Sequence, residues 1–137
     1  MMDRFRQAFV GTECTVVKRE HDWDFGFGDG LGLAVAVPWR VVVPEGIAHA
    51  EADDRQLFGL KEPINGEQRA NELLRGHRVE QIEIDLLTAD ICIRFDDGVR
   101  LDVFNNSSGY EGWTGTLGTG TDHLMVIGQG GGQVSIG

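Results

Sequence analysis

Many side chains in this sequence are able to do chemistry, but few stand at the spacings chemistry needs. The four histidines, His21, His49, His77 and His123, lie far apart, with no His-x-His or His-Glu-x-x-His pair to seat a zinc ion. His49 and Glu51 are two residues apart and share a strand face, where the simpler reading is a surface pair. "NSSGY" at 106–110 lacks the first glycine and the following helix of a nucleophile elbow, so Ser107 and Ser108 read as turn formers. Cys14 occupies an apolar position and Cys92 lies among aspartates, which disfavours its thiolate, so both read as inert, reduced thiols. The 22 Asp and Glu side chains leave carboxylate-pair chemistry open without singling out a pair. No catalytic residue, metal ligand or cofactor is assigned.

The strongest superficial cofactor signal is "DFGFGDGLG" at 24–32. A dinucleotide fingerprint counted from Gly26, Gly28 or Gly30 needs its third glycine where Leu31, Leu33 or Val35 stands. The run "LGLAVAV" at 31–37 alternates like a strand instead of opening a helix, and no Gly-Lys-Ser/Thr is present for a P-loop. Asp29-Gly30 therefore reads as the turn of a hairpin.

Binding chemistry has better candidates. In "SSGYEGW" at 107–113, alternation turns Tyr110 and Gly112 one way and Glu111 and Trp113 the other. Exposed together, the two aromatics would anchor a partner; buried, one of them would close an end of the core. Ahead of them, Ile91, Ile93, Phe95, Val99, Leu101 and Val103 alternate with Asp90, Cys92, Arg94, Asp96, Arg100 and Asp102. With Glu83 and Asp85 on the preceding strand, this predicts an open, net acidic sheet face. It reads either as solvated surface with cross-strand Arg–Asp pairs or as a dock for a basic protein. Asp85, Asp90, Asp102, Tyr110, Glu111 and Trp113 are the partner-binding candidates.

The elements that position these residues occur twice. "FVGTECTVVKREHDWDFGFGDGLGLAVAV" (9–37) aligns with "LLRGHRVEQIEIDLLTADICIRFDDGVRLDVF" (73–104). Gly11 meets Gly76, Cys14 meets Val79, and, with three extra residues in the second copy, Trp23, Phe25 and Phe27 meet Ile91, Ile93 and Phe95. Asp29-Gly30 meets Asp97-Gly98, and Leu33 and Val35 meet Leu101 and Val103. A helix-compatible segment, "DRFRQAF" or "EQRANELL", precedes each copy and ends near a glycine. The prediction is a pseudo-twofold duplication within one α+β domain over 1–137, mainly antiparallel sheet with two short helices. Its first half covers about 1–44, a connecting segment 45–66, and its second half 67–137. Trp39–Val43, closed by Pro44, and Ile47–Glu51 read as strands in between. "YEGWTGTL", "HLMVIG" and "QVSIG" read as strands at the end, with "GQGGGQ" as a bulge or sharp bend. In the first copy Gly26, Gly28, Gly32, Ala34 and Ala36 share the face opposite the large apolar residues, which predicts close cover by a second layer.

Bulk charge narrows the partners. Twelve Lys and Arg against 22 Asp and Glu give a formal charge of −10, which repels nucleic acid and anionic lipid and attracts basic proteins. No apolar run approaches secretory or membrane-spanning length, so a soluble cytoplasmic protein is expected.

Through "FDDGVRLDVF", "SSGYEGW" and "GQGGGQ" the chain resembles small acidic bacterial domains of uncharacterised function with a Ser-Gly-Tyr-Glu-x-Trp segment. The resemblance covers the second half well and the first half loosely. Some such proteins are similar to immunity proteins that neutralise toxins in interbacterial competition, which implies a non-enzymatic inhibitor of a basic toxin and transfers no catalytic residue. The alternative is a small-ligand binder or minor hydrolase with a pocket between the halves, using Glu111, Asp122 or His123. A homodimer is compatible with either.

Overall fold

The computed structural model describes residues 1–137. It opens with helix α1 (Met2–Phe9), in which Phe5 and Phe9, four apart, form one buried face. A three-stranded meander comes next: β1 (Thr15–Lys18), β2 (Trp23–Gly26) and β3 (Gly32–Val35). The hairpin β4 (Trp39–Val43) and β5 (Gly46–Ala50) completes the first half. The pattern then repeats, with helix α2 (Gly66–Leu74) and the meander β6 (Val79–Ile84), β7 (Ile91–Phe95) and β8 (Arg100–Val103). The chain ends with β9 (Trp113–Thr119), β10 (Asp122–Gly128) and β11 (Val134–Ile136). In α2 the Asn65 side chain accepts the Gln68 N–H at 3.0 Å as an N-cap, and Ala70 and Leu74 form the buried face. Gly11 and Gly76 follow the two helices at φ 83 and 79, the left-handed stop their shared position predicts.

Two antiparallel sheets result, one of six strands in the order β1-β2-β3-β9-β10-β11 and one of five in the order β5-β4-β8-β7-β6. Each half crosses over. After its meander the first half sends β4 to pair with β8, and the second half sends β9 to pair with β3. Each meander is thus completed by the other half's hairpin, and the registers match: Trp39 lies opposite Val103, and Trp113 lies opposite Val35. Within the meanders Trp23 opposes Val35 as Ile91 opposes Val103, and Phe25 opposes Leu33 as Ile93 opposes Leu101. The duplication is therefore visible residue by residue. Of the three extra residues in the second copy, a bulge between Val79 and Gln81 absorbs one. The β6–β7 turn absorbs two, running over 85–90 where the β1–β2 turn runs over 19–22.

Between the sheets lies one core of 27 buried residues drawn from both halves. The helices close its sides: Phe9 packs edge-on to Phe27 at 4.8 Å, and the Asn71 side chain bonds both Val16 backbone groups at 2.8 Å. At Gly115 a methyl group would lie 2.4 Å from the Phe5 ring, so only glycine admits α1 this closely. Here one expectation is corrected. Gly26, Gly28, Gly32, Ala34 and Ala36 do turn away from the large residues, but no layer covers them. Both helices spend their apolar faces between the sheets, so none remains to pack outside.

Candidate functional site

Asp85, Asp90 and Asp102 do come together, lining a depression of about 340 Å³ with Glu83, Cys92 and Phe104. Their chemistry differs from a plain acidic face. Asp102 is only 6% exposed, accepting from Arg40 Nε at 3.0 Å and Arg100 Nε at 2.9 Å. Burial alone would raise its pKa, but the hydrogen bonds from Arg100 and then Arg40 outweigh it, and the carboxyl titrates below its ordinary value. Arg94 reaches Glu83 at 3.3 Å, and Arg40 stacks 5.0 Å from the Phe104 ring. Three arginines thus neutralise much of the face expected to be acidic. Cys92 lies within it with its thiol pKa raised, by burial and then by Asp102.

Asp90 and Asp85 organise loops. Asp90 Oδ1 accepts the Asn105 N–H at 2.8 Å, and Asp85 Oδ1 accepts the N–H groups of Leu87 and Thr88 at 2.8 and 3.2 Å. Asn105 Nδ2 donates to the carbonyls of Thr88 and Gln129 at 3.0 and 2.8 Å. The Gly131 N–H reaches the Ser107 carbonyl at 2.8 Å, and Gly132 packs against the Leu87 backbone. The segment "GQGGGQ" is the bend joining β10 to β11, and it wedges between the 85–90 turn and the 105–112 crossover. Three loops therefore lock together at one end of the sandwich. From them Leu86, Leu87 and Tyr110 project at 71, 81 and 82% exposure, with the exposed carboxylates of Asp85 and Glu111 beside them in sequence. Trp113, expected to share that surface, is buried instead. Its Nε1 donates to the Ala89 carbonyl at 2.7 Å, so it closes this end of the core. Leu86 and Leu87 were not singled out in the sequence. The signal was the length difference between the copies, because both leucines sit in the longer turn.

The twin end of the sandwich is built differently. Trp39 is the counterpart of Trp113, equally buried, yet its Nε1 has no hydrogen-bond partner. The β1–β2 turn is shorter than its counterpart and supplies no acceptor to this indole. A cleft of about 530 Å³ lies here, walled by Trp23, Val37, Pro38, Glu51 and Asp54. Asp54 binds Lys18 and accepts the Gly66 N–H at 2.8 Å, and these bonds hold its pKa low against the opposing effect of burial. Trp39 packs edge-on to Trp23 at 4.9 Å and lies 5.6 Å from His49. His49 corrects a second expectation, for it is fully buried and not paired at the surface with Glu51. Both its ring nitrogens lack partners, and burial depresses its pKa, so the ring is neutral. It faces inward because it lies opposite Val41, on the buried side of β4.

The residues proposed for a hydrolase do not converge. Asp122 pairs with Arg4 at 2.9 Å, His123 lies opposite Gly118 in the β9–β10 hairpin, and Glu111 is on the crossover at the other end of β9. His77 Nδ1 lies 2.7 Å from Asp96 and 3.6 Å from Asp97, a trio close enough to hold a cation. The His77 bond, followed by that of the Arg78 N–H, lowers the Asp96 pKa. No helix is long and apolar enough to cross a membrane. No protein-family model matches the chain, and no curated protein or solved structure matches it.

Proposed function

We propose that this protein is a non-enzymatic binding domain that docks a basic protein partner through the loop end carrying Leu86, Leu87 and Tyr110. The observation that carries this reading is the exposure of three large apolar side chains on loops fastened to one another by hydrogen bonds. Rigid apolar anchors lose little entropy on binding, and carboxylates at Asp85 and Glu111 would guide a basic partner onto them. The net charge of −10 extends that steering over the whole molecule. An immunity-type inhibitor of a basic bacterial toxin, acting in the cytoplasm, is the specific form of this proposal that the chain's resemblance favours.

The test is affinity capture from the source organism at low salt, with wild type and Leu87→Ala/Tyr110→Ala run in parallel. A basic protein retained by wild type, released as salt rises and lost by the double variant is the expected result. Equal retention by both would refute this end as the dock.

A second reading rests on the twin end, where the cleft lined by Lys18, Arg19, His21 and Trp23 suits a small ligand carrying hydrogen-bond acceptors. Fragment screening read on the three tryptophan indole resonances decides it. Shifts confined to Trp23 and Trp39 would support a ligand site, and unmoved resonances would remove it.

A further inference from the structure

The two sheets are twins, so their outward faces should carry similar residues, and they do not. On the five-stranded sheet the outward positions include Glu83, Arg94, Arg100, Asp102 and Arg40. Their counterparts on the six-stranded sheet, taken from the matched registers, are Val17, Gly26, Gly32, Ala34 and Thr114. Five charged positions have become uncharged, and only Cys92 has a charged counterpart, Asp24. The outward row continues through Thr116 to Met125 and through Thr114 to Ile127, and Asp24 is its one carboxylate, with no lysine or arginine. A quarter of the chain is charged, so an open sheet face this bare is out of keeping with the rest of the surface.

We propose that this face binds a second copy of the chain, giving a face-to-face twofold dimer. Two molecules of charge −10 repel each other, and this bare face is where that repulsion is least. The face also fits itself. In the order β1-β2-β3-β9-β10-β11 the centre falls between β3 and β9, so β2 and β10 lie equally far to either side. A twofold axis along the strands at that centre lays β10 of the second copy over β2. Met125 then sits above Gly26, which shares its row and has no side chain to obstruct it. Six strands at ~4.8 Å, three to seven residues long, present on the order of 500 Å². Burying that on both copies removes about 1,000 Å², the lower bound for a specific interface. The partner-binding loops lie at the end of the sandwich and stay free.

Sedimentation equilibrium on the full chain over about two decades of concentration, from ~5 to ~500 µM, tests this directly. The expected result is a shift from the 15.0 kDa monomer to twice that mass, strengthened by salt, because screening weakens repulsion between like molecules. Thr114→Glu should weaken association at least tenfold, Asp24→Asn should tighten it, and Gln81→Glu on the other sheet should leave it unchanged. Should Thr114→Glu fail to fold by circular dichroism, Val17→Glu at the sheet edge, opposite Asp24, makes the same test. A chain monomeric throughout, or a dimer indifferent to charge at 114 and 17, would overturn the proposal.

Discussion

At the scale of single residues the duplicated architecture supplies its own controls. Trp39 and Trp113 occupy matched registers in the same core, but only Trp113 has a partner for its indole N–H. Trp113→Phe forfeits that bond and strands the Ala89 carbonyl, whereas Trp39→Phe forfeits none. Urea unfolding should therefore show Trp113→Phe more costly by about 1–3 kcal/mol. His49 gives a pH signature. Its folded pKa lies below the ordinary value of 6.5, so below pH 6.5 the unfolded chain takes up a proton that the native state refuses. Stability should fall from pH 7 to pH 5 by at most about 1.4 kcal/mol per unit, and His49→Phe should remove that slope. Asp102 acts with the same sign in a lower window. Its folded pKa is depressed, so its contribution is present above pH 3.8 and is lost as acid protonates it. Asp102→Asn leaves Arg40 and Arg100 without their shared counter-charge and should cost about 1–3 kcal/mol at pH 7, measured by thermal or urea unfolding.

At the scale of elements, strands and helices were legible because their signals are local. Alternation in Trp23–Phe27 and Leu31–Val37 set the inward face, and the four-residue spacings of Phe5–Phe9 and Ala70–Leu74 set the helices. The burial of Asp102 and His49 was not legible, and that of Trp113 was legible only as one of two alternatives, because each depends on what lies alongside. Trp113 is buried because the Ala89 carbonyl reaches it, and Asp102 is neutralised because Arg40 arrives from the other half. The 105–112 crossover illustrates the same dependence, since the one side chain of Asn105 reaches two other loops. Asn105→Ala should accelerate hydrogen exchange across 107–112 and weaken partner binding, while the strand amides remain protected. Unchanged exchange there would mean that Asn105 does not hold the loops together.

At the scale of the whole molecule, the crossing of each half onto the other's sheet makes the halves interdependent. Each meander alone is a three-stranded sheet lacking its fourth strand and the cover of the opposite layer. Fragments 1–60 and 61–137, cut in the exposed segment between Leu60 and Lys61, should each be unfolded alone by circular dichroism. Mixed, they should recover the sheet signal. The repeat announced that the halves are alike, but not that they exchange strands, because equivalent sequences pair equally well within or between copies. The same symmetry locates function, since what differs between twins is what symmetry does not require: the leucine-bearing turn and the bare face of the larger sheet.

The binding claim is tested most directly by the association rate of the captured basic partner with wild type and Glu111→Lys over a range of salt. Glu111 is exposed on the crossover, so its reversal should leave the fold intact. The rate should fall steeply with salt and be several-fold lower in the variant at low salt, with the two converging when salt is high. Identical rates for both proteins at every salt concentration would contradict it.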